Sequence, residues 1–135
     1  MPERKTRKVN MRDAYAFIAK AEQFLRTMEK AVEAGDWDAV GLNAVHSVIS
    51  AADAVTAFRA GFRSAEQDHK MLADVLEDIV GEGASKSVRH LKAVLAKKNT
   101  IEYEQRRLTT KEAADVAEHA RRFVSWAREK LPESW

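Results

Sequence analysis

An all-α fold, a five-helix antiparallel up-and-down bundle, follows from three features of the sequence. Apolar residues recur at three- and four-residue steps through most of the 135 residues, and no segment sustains two-residue alternation. The only prolines, Pro2 and Pro132, fall outside the helical stretches, where they cost no interior hydrogen bond. The chain length fits a single core, and short connections favour antiparallel neighbours. The expected division is a basic N-terminal tail over residues 1–9, one helical domain over 10–131 and a C-terminal tail over 132–135.

The first helix is expected from Met11 to Ala34, with Tyr15, Ile18, Ala21, Leu25, Met28 and Val32 on one face and Gly35 as its stop. Asp36 is placed to cap a second helix that starts at Trp37, carries Leu42, Val45, Ile49, Ala52, Val55, Phe58 and Phe62, and ends near Gly61. Gly41, Ala44, Ala51 and Ala54 keep part of its surface small, which suits close approach of a neighbouring helix in the same subunit or at a homodimer seam. Ser64 offers a cap for a short third helix built on Met71, Leu72, Val75, Leu76 and Ile79 and ended by Gly81 and Gly83. Ser85 opens a fourth, with Val88, Leu91, Val94 and Leu95 inward. Thr109 and Glu112 match a capping box for the last helix, whose stripe is Ala113, Val116, Ala117, Ala120, Phe123, Val124, Ala127 and Leu131.

Composition excludes several chemistries. With no cysteine there is no disulfide framework, thiolate nucleophile or cysteine metal cluster. No apolar run approaches a membrane span or a signal-peptide core, so the chain reads as cytoplasmic and unprocessed, with no membrane partner. The net charge of +2 is a small difference between 23 basic and 21 acidic residues and says little about partners. Arg4, Lys5, Arg7 and Lys8 make the N-terminus locally basic, as a solvated tail or a phosphate contact would be. There is no Gly-rich phosphate loop and no G-x-S-x-G elbow, and no cofactor is expected.

Two groups of polar residues stand out. Asn43, His46, Ser50 and Asp53 follow one another at helical steps on the second helix, a line of small hydrogen-bonding groups around an imidazole where other exposed faces carry Lys, Arg and Glu. His46 has the chemistry of a general acid or base, with Asn43 or Ser50 one turn away to orient it; a solvated face is the plainer account. The second group is "KKNTIEYEQR", Lys97 to Arg106, which concentrates charge, an asparagine and a tyrosine where a plain linker needs only glycine. His69, His90 and His119 read as structural or solvated, and the histidine spacings match no metal motif, so no metal site is expected.

These features together resemble the HEPN family of small helical bundles. In many bacterial members the junction before the last helix reads R-N-x-A-D-Y or R-N-x-x-x-H, and Lys98-Asn99-Thr100-Ile101-Glu102-Tyr103 is similar to the first of these. "NAVHSVISAADAVTA", Asn43 to Ala57, is similar to the helix that presents small and polar residues toward that junction. "TTKEAADVAEHARRFVSWAREKL", Thr109 to Leu131, looks like the closing helix.

The resemblance implies a homodimer. Active members are metal-independent ribonucleases with an R-x4-6-H motif facing its copy across the dimer. Here Lys98 stands at the arginine position, and Glu102 and Tyr103 occupy the histidine region. Lysine holds a phosphate as a point charge without the bidentate guanidinium fork. One formal match, Arg63 with His69, lies between the second and third helices and is of a kind that chance supplies.

The expectation is therefore a catalytically impaired HEPN-like homodimer that binds RNA, a nucleotide or a protein partner in a cleft. Lys98 would hold phosphate, Asn99 fix the turn and Tyr103 stack, with His46, Asn43, Ser50 and Asp53 opposite. Its rival is a metal-independent endoribonuclease, the toxin of a toxin-antitoxin pair, with His46, Lys98 and Glu102 as catalytic groups and an antitoxin or nucleotidyltransferase as partner. A structural oligomerisation module is the third reading.

Overall fold

The computed structural model describes residues 6–64 and 71–133. Helices α1 (Asp13–Ala34), α2 (Trp37–Ala60), α3 (Met71–Val80), α4 (Ser85–Leu95) and α6 (Thr110–Glu129) correspond to the five expected ones, and a six-residue helix, α5 (Lys98–Tyr103), lies between α4 and α6. The fold is all-α apart from a small ribbon in which β1 (Thr6–Lys8) pairs antiparallel with β2 (Phe62–Ser64), Thr6 opposite Ser64. Strands this short leave no readable alternation in the sequence. Arg7 and Lys8 thus sit on an exposed strand, while Arg4, Lys5 and His69 fall outside the described residues.

Helix α2 is the spine of the bundle and touches every other helix. Its own sequence makes this possible. Val40, Ala44, Val45, Val48, Ala51, Ala52, Ala54 and Val55 are all inaccessible, so most of its circumference is apolar and small. The expected small residues are all buried within the one subunit. Around this spine the largest enclosed side chains are Phe123, Ile18, Met28, Leu72, Leu76 and Leu91, contributed by α1, α3, α4 and α6. Each stabilises the fold by roughly 1.5–3 kcal/mol through removal from water.

The ends of the long helices follow the sequence in part. Gly35 and Gly61 adopt left-handed φ values of 73° and 72° and end α1 and α2, conformations that cost little without a Cβ. Thr109 caps α6 in a complete capping box with Glu112. Two expected caps are corrected. The Asp36 side chain makes no capping hydrogen bond, and Ser64 lies in β2, where it donates to Asp53 instead of starting α3. Leu42, expected inward, is 41% exposed, because the apolar stripe of α2 is carried by its neighbours.

Candidate functional site

The junction from Lys97 to Thr109 is an ordered structure held by two carboxylates. Asp38 at the start of α2 accepts hydrogen bonds from the Leu108 amide and from Arg107 Nε, each at 2.9 Å. Both bonds hold its carboxyl below the usual carboxylate range. Glu112 accepts from both terminal nitrogens of Arg106 at 2.8 Å, from the Thr109 amide at 3.0 Å and from Lys97 at 3.3 Å. The Arg106 pairing is the main reason that its carboxyl also stays ionised far into the acid range.

Below this frame, α5 packs on α2 at Gly41. A Cβ there would stand 2.5 Å from Leu108 Cδ1 and 3.0 Å from Ile101 Cγ1, so the absent side chain is what lets the junction sit down on the spine. Ile101 turns toward the spine, and Asn99 and Tyr103, on the far side of α5, are exposed. Lys98 Nζ donates to Glu102 at 2.9 Å, the two side chains retaining 17% and 16% of their accessible surface. The same ammonium lies 5.5 Å from the centre of the Tyr103 ring, within cation–π range. Tyr103 itself is 64% exposed. Lys98, Glu102 and Tyr103 therefore come together as one cluster, with Asn99 exposed on the same short helix.

The polar line of α2 lies elsewhere. Relative to Gly41, a helix of 3.6 residues per turn rotates Asn43, His46, Ser50 and Asp53 by roughly 120–180°. His46 packs its exposed imidazole against Phe24 of α1, ring centres 5.4 Å apart. Asn43 Nδ2 donates to the Ala39 carbonyl at 2.9 Å, and Ser50 is partly exposed. Asp53 is 6% exposed and accepts from the Ser64 amide and hydroxyl at 3.0 and 2.9 Å. Burial pushes its carboxyl up, against the pull of those two bonds and of Arg63. Within one subunit this line and the α5 cluster do not meet.

A contact that sequence spacing concealed joins α4 to α6. His90 and His119 approach with Nδ1 atoms 2.9 Å apart and ring centres 5.1 Å apart. Partial burial, His119 and the cations Arg122, Lys86 and Arg89 all push His90 down. The histidines are 29 positions apart, so only the antiparallel pairing of the two helices reveals them as neighbours.

The HEPN domain family model matches residues 14–130, nearly the whole helical region just described. The chain belongs to the HEPN family. No curated protein matches it at a significant level. In this HEPN domain the junction forms its own short helix beside the spine, with Tyr103 exposed and Lys98 largely covered in its pair with Glu102. No helix among the described residues of this HEPN domain is long and apolar enough to cross a membrane.

Proposed function

We propose that this HEPN protein is a homodimeric, non-cleaving module that binds single-stranded RNA at the α5 cluster, with residues 10–131 as its folded unit. The observation that carries the reading is the exposed Tyr103 ring with the Lys98 ammonium beside it. An exposed aromatic next to a cation suits unpaired nucleic acid, because every base has a face to stack and every linkage has a phosphate to hold. Arg107, paired with Asp38 and 84% exposed, and Lys97, paired with Glu112 and 43% exposed, are further cations of the same junction. Binding of RNA requires Lys98, largely covered in its pair with Glu102, to exchange that carboxylate for phosphate.

Cleavage is the weaker reading because the Lys98 cluster contains a carboxylate and a phenol in place of an imidazole. A carboxylate does not supply both the base and the acid that one imidazole can, and His46 would enter such a site only from a second subunit. An antitoxin or nucleotidyltransferase would then be a partner of the toxin reading.

The test is fluorescence anisotropy with labelled single-stranded RNA across a salt series, run beside a cleavage assay in EDTA. Affinity that falls with salt and drops for Lys98→Ala, without strand scission, is the expected result. Affinity indifferent to both salt and the substitution overturns it. Cleavage abolished by His46→Ala and Lys98→Ala would establish the ribonuclease reading, and a dimer without RNA affinity would leave the structural module.

A further inference from the structure

The contact between His90 and His119 has the nitrogen spacing of a chelate. Two facing ring nitrogens 2.9 Å apart need one donor and one acceptor, a single proton held between two lone pairs. Two nitrogens bound at adjacent right-angled positions of one metal ion, each about 2.0–2.1 Å from it, also stand about 2.9 Å apart. A tetrahedral ion would ask for about 3.3–3.4 Å at the same bond lengths. We propose that His90 and His119 form a two-imidazole site for a divalent late transition-metal ion, Cu²⁺ or Ni²⁺, that takes the place of the shared proton and clips α4 to α6.

The exchange balances without a proton leaving the pair. The ring that donates through Nδ1 shifts its hydrogen to Nε2, and both Nδ1 lone pairs then turn to the metal. The rings are inclined at 44°, and right-angled ligation turns each lone pair by about 45° from the line between the nitrogens. Solvent reaches both sides. His119 lines a groove of about 350 Å³ with Ala93, Lys97 and Asp115, and His90 lines another of about 360 Å³ with Ser87 and Trp126.

Among the described residues no third His, Asp or Glu completes a cluster, so water fills the remaining positions. Lys86, Arg89 and Arg122 act on His90 as positive neighbours, and Arg121 in its groove and Lys97 and Lys111 in that of His119 add to them and oppose any cation, whereas Asp115 and Glu112 beside His119 and Glu129 beside His90 favour one. That balance selects for the ions that bind nitrogen most strongly. Cu²⁺ stands first and Ni²⁺ next, while Mg²⁺ and Ca²⁺, which need oxygen ligands, are rejected.

The site is tested on untagged, full-length protein by calorimetric titration with CuCl₂ and NiCl₂ in a weakly coordinating buffer. One equivalent of Cu²⁺ is expected to bind, with a higher Tm for the loaded protein. His90→Ala and His119→Ala should each weaken binding by at least about tenfold, the scale that even supporting contacts have at metal sites. His46→Ala should leave it unchanged. The EPR spectrum of the wild-type copper complex should show coupling to two nitrogens, a readout that needs no variant to fold. Absence of binding at saturating metal, binding indifferent to both substitutions, loss of binding in His46→Ala, or a spectrum with one nitrogen would each overturn the assignment.

Discussion

Gly41 of α2 and Leu108, just before α6, are in such close contact that a single added methyl at Gly41 would come within 2.5 Å of the Leu108 side chain. That contact sets the height of the junction above the spine, and Ile101, 3.0 Å from the same point, shares it. Gly41→Ala should therefore destabilise the fold by about 1–2 kcal/mol. Overpacking costs about 1–3 kcal/mol, and a better helix propensity returns up to about 1 kcal/mol of it. Urea denaturation checks the sign: a variant as stable as wild type would mean that Leu108 can swing aside freely.

The capping box gives a second expectation. Thr109→Ala removes the side-chain acceptor for the Glu112 amide, a bond of 3.1 Å, and should cost about 1 kcal/mol in thermal or chemical unfolding. Thr109→Ser should retain nearly all of it. Equal losses in both variants would place the effect in methyl packing rather than in the cap.

Asp53 predicts a pH dependence. Its folded pKa is raised above the ordinary 3.8 by burial, so the folded chain holds this proton more tightly than the unfolded chain does. The stabilisation is then fully present below the ordinary carboxylate range and is lost as pH rises from there through the raised value. Asp53→Asn keeps an acceptor for the Ser64 amide and hydroxyl without the charge. The Tm difference between Asp53→Asn and wild type should grow in favour of the variant as pH rises from about 4 toward 7. A difference constant across that range would show that Asp53 titrates alike in both states.

Tyr103 separates stacking from hydrogen bonding. Tyr103→Phe should keep RNA affinity, whereas Tyr103→Ala should lose about 1–3 kcal/mol, roughly 5- to 150-fold, if the ring carries one stacked base. Equal loss in both variants would point to the hydroxyl. No loss in either would move the binding surface away from α5.

How much of this was readable before the structure depended on the range of the interaction. Helices built from local periodicity were legible: the stripe of α6 from Ala113 to Ala127 is buried as expected, and Thr109 with Glu112 caps it. The junction was visible as an unusual composition, but its frame was not, because Asp38 bonds to residues 69 and 70 positions away. The polar line of α2 was real as a pattern and misleading as a surface. Asp53 belongs to it by spacing, yet its carboxylate anchors β2, a strand too short to announce itself. His90 and His119 were each unremarkable alone, since only the packing of α4 on α6 makes them a pair.

The anchoring of the junction by Asp38 carries a consequence for how the candidate surface comes into being. Lys98 to Tyr103 is a helix of only six residues, far below the length at which a helix holds itself together in water. Its shape is lent by Gly41 beneath it and by Asp38 and Glu112 at its edges. A synthetic peptide of residues 97–109 would thus carry the letters of the site without its form. The surface exists only once the first half of the chain has met the second.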